Sequence, residues 1–350
     1  MKTLLFTIIL LFFCTITIAS HNIAEPEILG EGSQPQVSID SRNTIRIIYG
    51  QHDKIFCSES RDGGINFAKP MLVAQVAGMH LGMSRGPQLA CSNQYSVITA
   101  MDKSGNIHWF RLSNSSGKWE NMGLLNDQPG SAPEGLMNIA ADRNDHFYAV
   151  WLDIRTGKRN QIYFADLSPK AIKWSKNRLV YKSPDEHVCE CCQPHIAVNN
   201  AAVAIMFRNW LNGSRDLYLI TSKNRGTSFS QGHKLGTGTW KLNACPMDGG
   251  SLSNNPASVI TTWQREGNVF YCQPGQPEKA LGHGRNSTIA ASNSDTLIGY
   301  QANDTLKLVN IKANKTEVIG TGSFIKMALM PNKKLICVWE VDNKIVFKLI

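Results

Sequence analysis

The stretch HVCECCQPH, residues 187–195, sets Cys189, Cys191 and Cys192 around Glu190, with a histidine at either end. Thiols this close suit three chemistries: a soft-metal site, a redox pair, or a covalent brace beside a pocket. A fourth thiol, Cys245, lies in the stretch ACPMDGG. A second set of residues is charged. Glu134, Asp153, Glu190 and Asp248 are candidate acid and base groups, because glycoside cleavage needs two carboxyls flanking one bond. Arg85, Arg208, Arg265 and Arg285 are candidate carboxylate ligands, since guanidinium forks converging on one pocket grip an anion bidentately. Trp210 and Trp240 offer faces for a sugar ring, and Arg155, Arg215 and Asp216 are next in line.

Whether these side chains meet depends on the elements that carry them. Seven segments share a polar or glycine lead-in followed by small and β-branched residues: PQVSID, PQLACS, MNIAAD, PHIAVN, GSLSNN, STIAAS and IKMALM. An apolar segment follows each, from TIRIIYG to LICVWEV, then a third, from KIFCSES to KIVFKLI. A fourth is visible in six units, from MLVAQ to TEVIG. Short alternating segments in a repeat of this length predict an all-β propeller of four-stranded antiparallel blades. Seven blades are expected, and six with an irregular extra unit is the alternative. The last unit stops at Ile350 after three strands, so PEILGEGSQPQVSID is expected to lend its first strand and close the ring. One domain then covers residues 22–350.

Two turns orient that ring. SESRDGGINF and TSKNRGTSF each pair a serine, an aspartate or asparagine, a glycine and a phenylalanine at fixed offsets, a spacing that closes a turn on backbone amides. They fall between third and fourth strands, so the loops joining fourth to first and second to third strands share the opposite rim, where propeller ligands bind. The candidate residues lie in those loops or at the strand ends beside them. Cys189, Cys191, Cys192 and Cys245 should meet there, and a vicinal Cys191–Cys192 bridge with a Cys189–Cys245 bridge is the leading expectation, though four cysteines allow three connectivities. Zinc suits adjacent cysteines poorly. Copper remains open, because Met79, His80, Met83, His187 and Met247 share those loops. Cys57, Cys91, Cys272 and Cys337 fall within strands and read as buried thiols.

The two turns resemble the Asp box of sialidases and other BNR-repeat proteins. The combination VCECCQPHIAV, FRN with SRD, and ACPMDGG resembles one secreted bacterial branch of that family, described as exo-α-sialidase-like. The resemblance implies a glycosidase acting on terminal acidic sugars, with a tyrosine nucleophile paired to a glutamate; Tyr49 and Tyr300 are the available tyrosines. The Phe-Arg-Ile-Pro stretch of true sialidases is absent. The alternative is a non-catalytic propeller that binds glycan, protein or copper through its cysteine-rich rim. No cofactor is expected.

The opening MKTLLFTIILLFFCTITIAS reads as a signal peptide over residues 1–20, which implies a secreted or periplasmic protein without stable membrane insertion; retention of the run as an N-terminal membrane anchor is the alternative, since its length is near the lower limit for a spanning helix. The formal charge of +9 is scattered, which favours acidic ligands over a nucleic-acid stripe. Carbohydrate is the expected partner, and the chain is expected to act as a monomer.

Overall fold

The computed structural model describes residues 25–157, 159–255 and 258–350, so the expected signal peptide lies outside the described residues. Seven four-stranded antiparallel sheets follow one another around a ring, as the repeats predict. Blade three shows why these sequences make blades. Its second strand, Phe147–Asp153, is buried throughout. Alternation sends Phe147, Ala149 and Trp151 toward Val97 and Trp109 of blade two. Tyr148, Val150 and Leu152 face the other way, onto Ile205 and Phe207 of blade four. A strand covered on both faces must be apolar at every position.

The first strands of successive blades contact one another and line the central channel. Blade seven consists of Ser323–Leu329, Leu335–Val341 and Lys344–Leu349, and its fourth strand is Glu27–Glu31. Glu27 stands opposite Phe347 and Glu31 opposite Lys344, while Leu29 packs against the core shared by blades seven and one. The ring closes through the N-terminal segment.

Each of the two predicted turns folds as its spacing requires. Asp62 Oδ1 accepts from the amides of Ile65 and Asn66 at 3.1 and 3.0 Å, and Ser60 Oγ accepts from Gly64 N at 2.9 Å. Gly64 sits at φ +85°, in the left-handed region that favours glycine. Phe67 packs on Phe347 with ring centroids 4.5 Å apart. In blade four Asn224 replaces the aspartate and still accepts from Ser228 N at 3.0 Å.

Blade four departs from the pattern in one respect. Its outer strand is only His233–Lys234, after which the chain crosses the rim and re-enters as the first strand of blade five, Ser251–Asn254. A Gly-Thr-Gly-Thr run cannot hold an edge strand against this diversion. The crossing segment carries Trp240, Cys245, Met247 and Asp248.

Candidate functional site

Antiparallel pairing puts the serine–aspartate turns on one rim and the fourth-to-first and second-to-third loops on the other. On that second rim a cleft of about 500 Å³ opens between blades five and six. Trp240 and Pro246 come from the crossing segment, while Gln264 and Gly267 flank the second turn of blade five. His283 and Arg285 join blade five to blade six, and Gln301, Asn303 and Asp304 close the far side. Arg285 is exposed, and its guanidinium has no ion pair or hydrogen bond among the described residues. The cleft therefore pairs an uncommitted cation with an indole and several amides. A larger groove of about 780 Å³ on the flank of blades four and five offers mainly Gln273, Gln276 and Lys234, and Lys234 is already held by Asp216 at 3.2 Å.

The other arginines do not converge on this cleft or on each other. Arg208 is 1% exposed. Its Nε and Nη2 donate to Asp248 O at 3.0 and 2.9 Å, Nη1 to Arg215 O at 2.6 Å, and Nη2 also to Gln264 O at 2.9 Å. A guanidinium so engaged ties three rim loops together and has little left for a ligand. Arg265 donates to Glu278 at 2.7 Å and stacks on Phe270. Burial opposes ionisation of Glu278, yet the amides of Thr237 and Gly238 and the Arg265 guanidinium outweigh it and lower its pKa. Arg85 donates to Glu134 O at 2.6 Å and lies 3.8 Å from its carboxylate. Arg155 grips Asp153 and Asp127.

The expected acid, base and nucleophile are also scattered. Asp153 is fully buried and accepts from Ser131, Trp151 and Arg155, a structural role. Tyr300 Oη donates to Leu281 O at 3.2 Å, and burial raises its pKa. Tyr49 packs against Gly30 in the blade interior, and its pKa is likewise raised by burial. Among the described residues no tyrosine hydroxyl bonds a glutamate. Trp210 is committed to His187, at 5.7 Å between rings, and to Arg215 above its face at 4.6 Å.

At the axis, Gln193, His195, Asp248, Asn286 and Lys326 surround a space of about 20 Å³, room for little more than a water molecule. Asp248 accepts from Gly250 N and Asn286 N, which pins the crossing segment to blade six. Burial lowers the Lys326 ammonium to about 8, against the pull of Asp248. Burial and then Lys326 lower the His195 imidazole to about 3. A folded-state pKa below the ordinary ~6.5 means that His195 contributes stability above pH 6.5 and loses it as pH falls toward 3. The loss is on the order of 5 kcal/mol. Acid unfolding followed by circular dichroism should therefore show a shallower acid limb in His195→Gln than in the wild type. Equal limbs would remove His195 from the account.

The rim cysteines group without bridging in this structure. Neither Cys191–Cys192 nor Cys189–Cys245 is bridged, and Cys245 is exposed on the crossing segment. Cys189, Cys191 and Cys192 are buried together instead, with Cys189 Sγ 3.6 Å from Cys191 Sγ and 3.4 Å from Cys192 Sγ. The backbone dictates this grouping: Cys189 N bonds Arg208 O at 3.0 Å, which anneals the stretch beside the end of strand Ala202–Arg208. Thiol donation from Cys191 and Cys192, aided by Arg215, drives the Cys189 pKa well down, while Cys191 and Cys192 are raised. The in-strand thiols Cys57, Cys272 and Cys337 are buried and unbridged, and Cys91 is half-buried.

No family model and no curated protein sequence matches the chain. Solved structures do. The Hadza microbial sialidase Hz136 aligns over 91% of this chain at 10% identity, with a TM-score of 0.53. This chain spans 65% of that sialidase's length. The SapL1 lectin in complex with alpha methyl fucoside aligns over 84% of this chain and 97% of its own at 11% identity, TM-score 0.53. The PL25 ulvan lyase bound to -[GlcA(1-4)Rha3S]- covers 93% of this chain and 94% of its own at 9% identity, TM-score 0.56. The chain shares their propeller fold. At such identities the likeness extends no further, and the cleft has to be read from its own residues.

The cleft loops were legible in the sequence as GHGRN and QREGN, but only Arg285 and Trp240 among the chosen residues line the cleft. His283, Gln301, Asn303 and Asp304 were missed, as were Lys326 and His195 at the axis. Their signal was position beside an already identified loop.

Proposed function

We propose that this protein is an exported, non-hydrolytic propeller that binds an acidic saccharide in the rim cleft between blades five and six. One observation carries the reading: Arg285 presents an uncommitted guanidinium beside Trp240 in a cleft of about 500 Å³. An arginine pairs with a sugar carboxylate, an indole covers the apolar face of the ring, and the amide of Asn303 meets its hydroxyls. The overall charge of +9 favours an acidic ligand. The fold neighbours lend support, since by name one is a sialidase, one a lectin in complex with a fucoside and one a polysaccharide lyase.

Sialidase-type hydrolysis is the second reading, and the side-chain placement favours it less. The tyrosines expected to attack point into blade interiors, and Arg208 and Arg265 are engaged with protein groups. Calorimetric titration with sialyllactose and with glucuronate-containing oligosaccharides tests the binding reading. Arg285→Ala should weaken affinity about 10–100-fold through loss of a charge-assisted pair. Trp240→Ala should weaken it less, by roughly 10-fold. Undiminished binding by both variants, or release of sugar from a fluorogenic sialoside by the wild type between pH 4 and 8, would overturn the proposal.

A further inference from the structure

The three buried thiols have no role in the saccharide cleft, and they are grouped more tightly than packing requires. Cys189, Cys191 and Cys192 place their sulfur atoms within 4.8 Å of one another. Three sulfurs bound to one ion at about 2.3 Å would stand roughly 3.8–4.0 Å apart, so the observed 3.4 and 3.6 Å need only a small expansion to enclose a metal. We propose that Cys189, Cys191 and Cys192 form a cuprous ion site, with the Met247 thioether beside it as a supporting ligand.

The donor set selects the ion. All three primary donors are sulfur, and Met247 packs directly against them. Soft thiolate and thioether donors select Cu(I). Zinc needs a fourth good ligand for its tetrahedron, and no carboxylate or imidazole joins the cluster among the described residues. Low coordination by thiolates is no handicap for the cuprous ion.

The charge balance points the same way. A monovalent ion on three thiolates leaves an excess negative charge in a buried place, which is costly unless cations stand nearby. Arg215 is 6% exposed and donates through Nη1 to Cys189 Sγ at 3.0 Å. Its Nε is held by Leu242 O at 3.2 Å, and Trp210 lies under the guanidinium. The Arg215 guanidinium, fixed between Cys189 Sγ and the Glu190 carboxylate 3.5 Å away, thus offsets part of the negative charge of the loaded site. The ion enters as Cu(I) and displaces the remaining thiol protons to solvent, so no electron changes hands.

Burial protects this arrangement. Cys191 is 6%, Cys192 2% and Cys189 1% exposed, which keeps water and oxidants from the sulfurs. Cys245, expected as the bridging partner of Cys189, is exposed on the same crossing segment, outside the cluster.

The test is anaerobic titration of the reduced full-length mature chain with Cu(I) in competition with bicinchoninate. One equivalent should be withdrawn from the chelator, with near-ultraviolet thiolate-to-copper absorption. Cys189→Ser and Cys192→Ser should abolish the transfer, while Cys272→Ser should retain it. Arg215→Gln, which keeps every ligand, should lower affinity about 10–100-fold as loss of an outer partner does. Should the serine variants fail to fold by circular dichroism, Met247→Leu still decides the matter, because it removes the thioether at nearly constant volume and should weaken copper binding while leaving the melting curve of the metal-free protein little changed. The proposal is overturned if no copper is withdrawn, if the serine variants bind it normally, if Zn(II) displaces it at equal concentration, or if peptide mapping finds a disulfide within the trio of the native protein.

Discussion

Replacing Arg208 by leucine is expected to destabilise the propeller by about 3–5 kcal/mol. Its guanidinium is the donor for three backbone carbonyls, those of Asp248, Arg215 and Gln264, which belong to the crossing segment, the second turn of blade four and the second strand of blade five. Each carbonyl left without a donor inside the protein costs roughly 1–3 kcal/mol. Arg208→Lys should recover only part of the loss, because one ammonium cannot reproduce the planar fork that reaches three carbonyls. Urea unfolding measures both variants. Binding to the rim cleft should survive in Arg208→Lys at low temperature, since the residue lies beneath the ligand's place and does not line it. Stability equal to wild type, with binding lost, would instead put Arg208 in the site.

The second large effect concerns closure. A chain beginning at Ser33 lacks the strand Glu27–Glu31, which leaves the backbone of Lys344–Leu349 as an open edge. The lost pairings Glu27 to Phe347 and Glu31 to Lys344, together with the packing of Leu29, correspond to a loss on the order of 3–5 kcal/mol. An exposed strand edge is also a template for association. Relative to a chain beginning at residue 22, the shortened one should melt well below it and scatter light on concentration. Identical melting and solubility would mean that the ring holds without the N-terminal strand.

The ring was readable because propeller physics is periodic. Each blade must present apolar residues to both neighbours, so strands such as FYAVWLD and LICVWEV are unmistakable, and the missing strand after KIVFKLI required a donor. The turn at Asp62 was readable because a carboxylate closing its own loop needs only local spacing. The site was less legible because its partners are far apart in sequence. Nothing near Arg265 announces that Glu278 would take it, or near Arg208 that three carbonyls would. Arg85, Arg208, Arg265 and Arg285 looked alike as rim arginines, yet of these four only the Arg285 guanidinium is without a partner among the described residues. The thiols illustrate the same limit. Spacing placed Cys189, Cys191 and Cys192 together, but whether Cys245 joined them depended on the course of a sixteen-residue crossing from Leu235 to Gly250, which no local pattern dictates.

The most direct measurement of the central claim is a crystal structure of residues 22–350 grown with a glucuronate-containing oligosaccharide or sialyllactose. The account predicts an intact oligosaccharide between blades five and six, its carboxylate on Arg285 and one ring face toward Trp240, with Arg208 still bound to the carbonyls of Asp248, Arg215 and Gln264. A cleaved sugar, or a ligand seated elsewhere while the cleft stays empty, would contradict it.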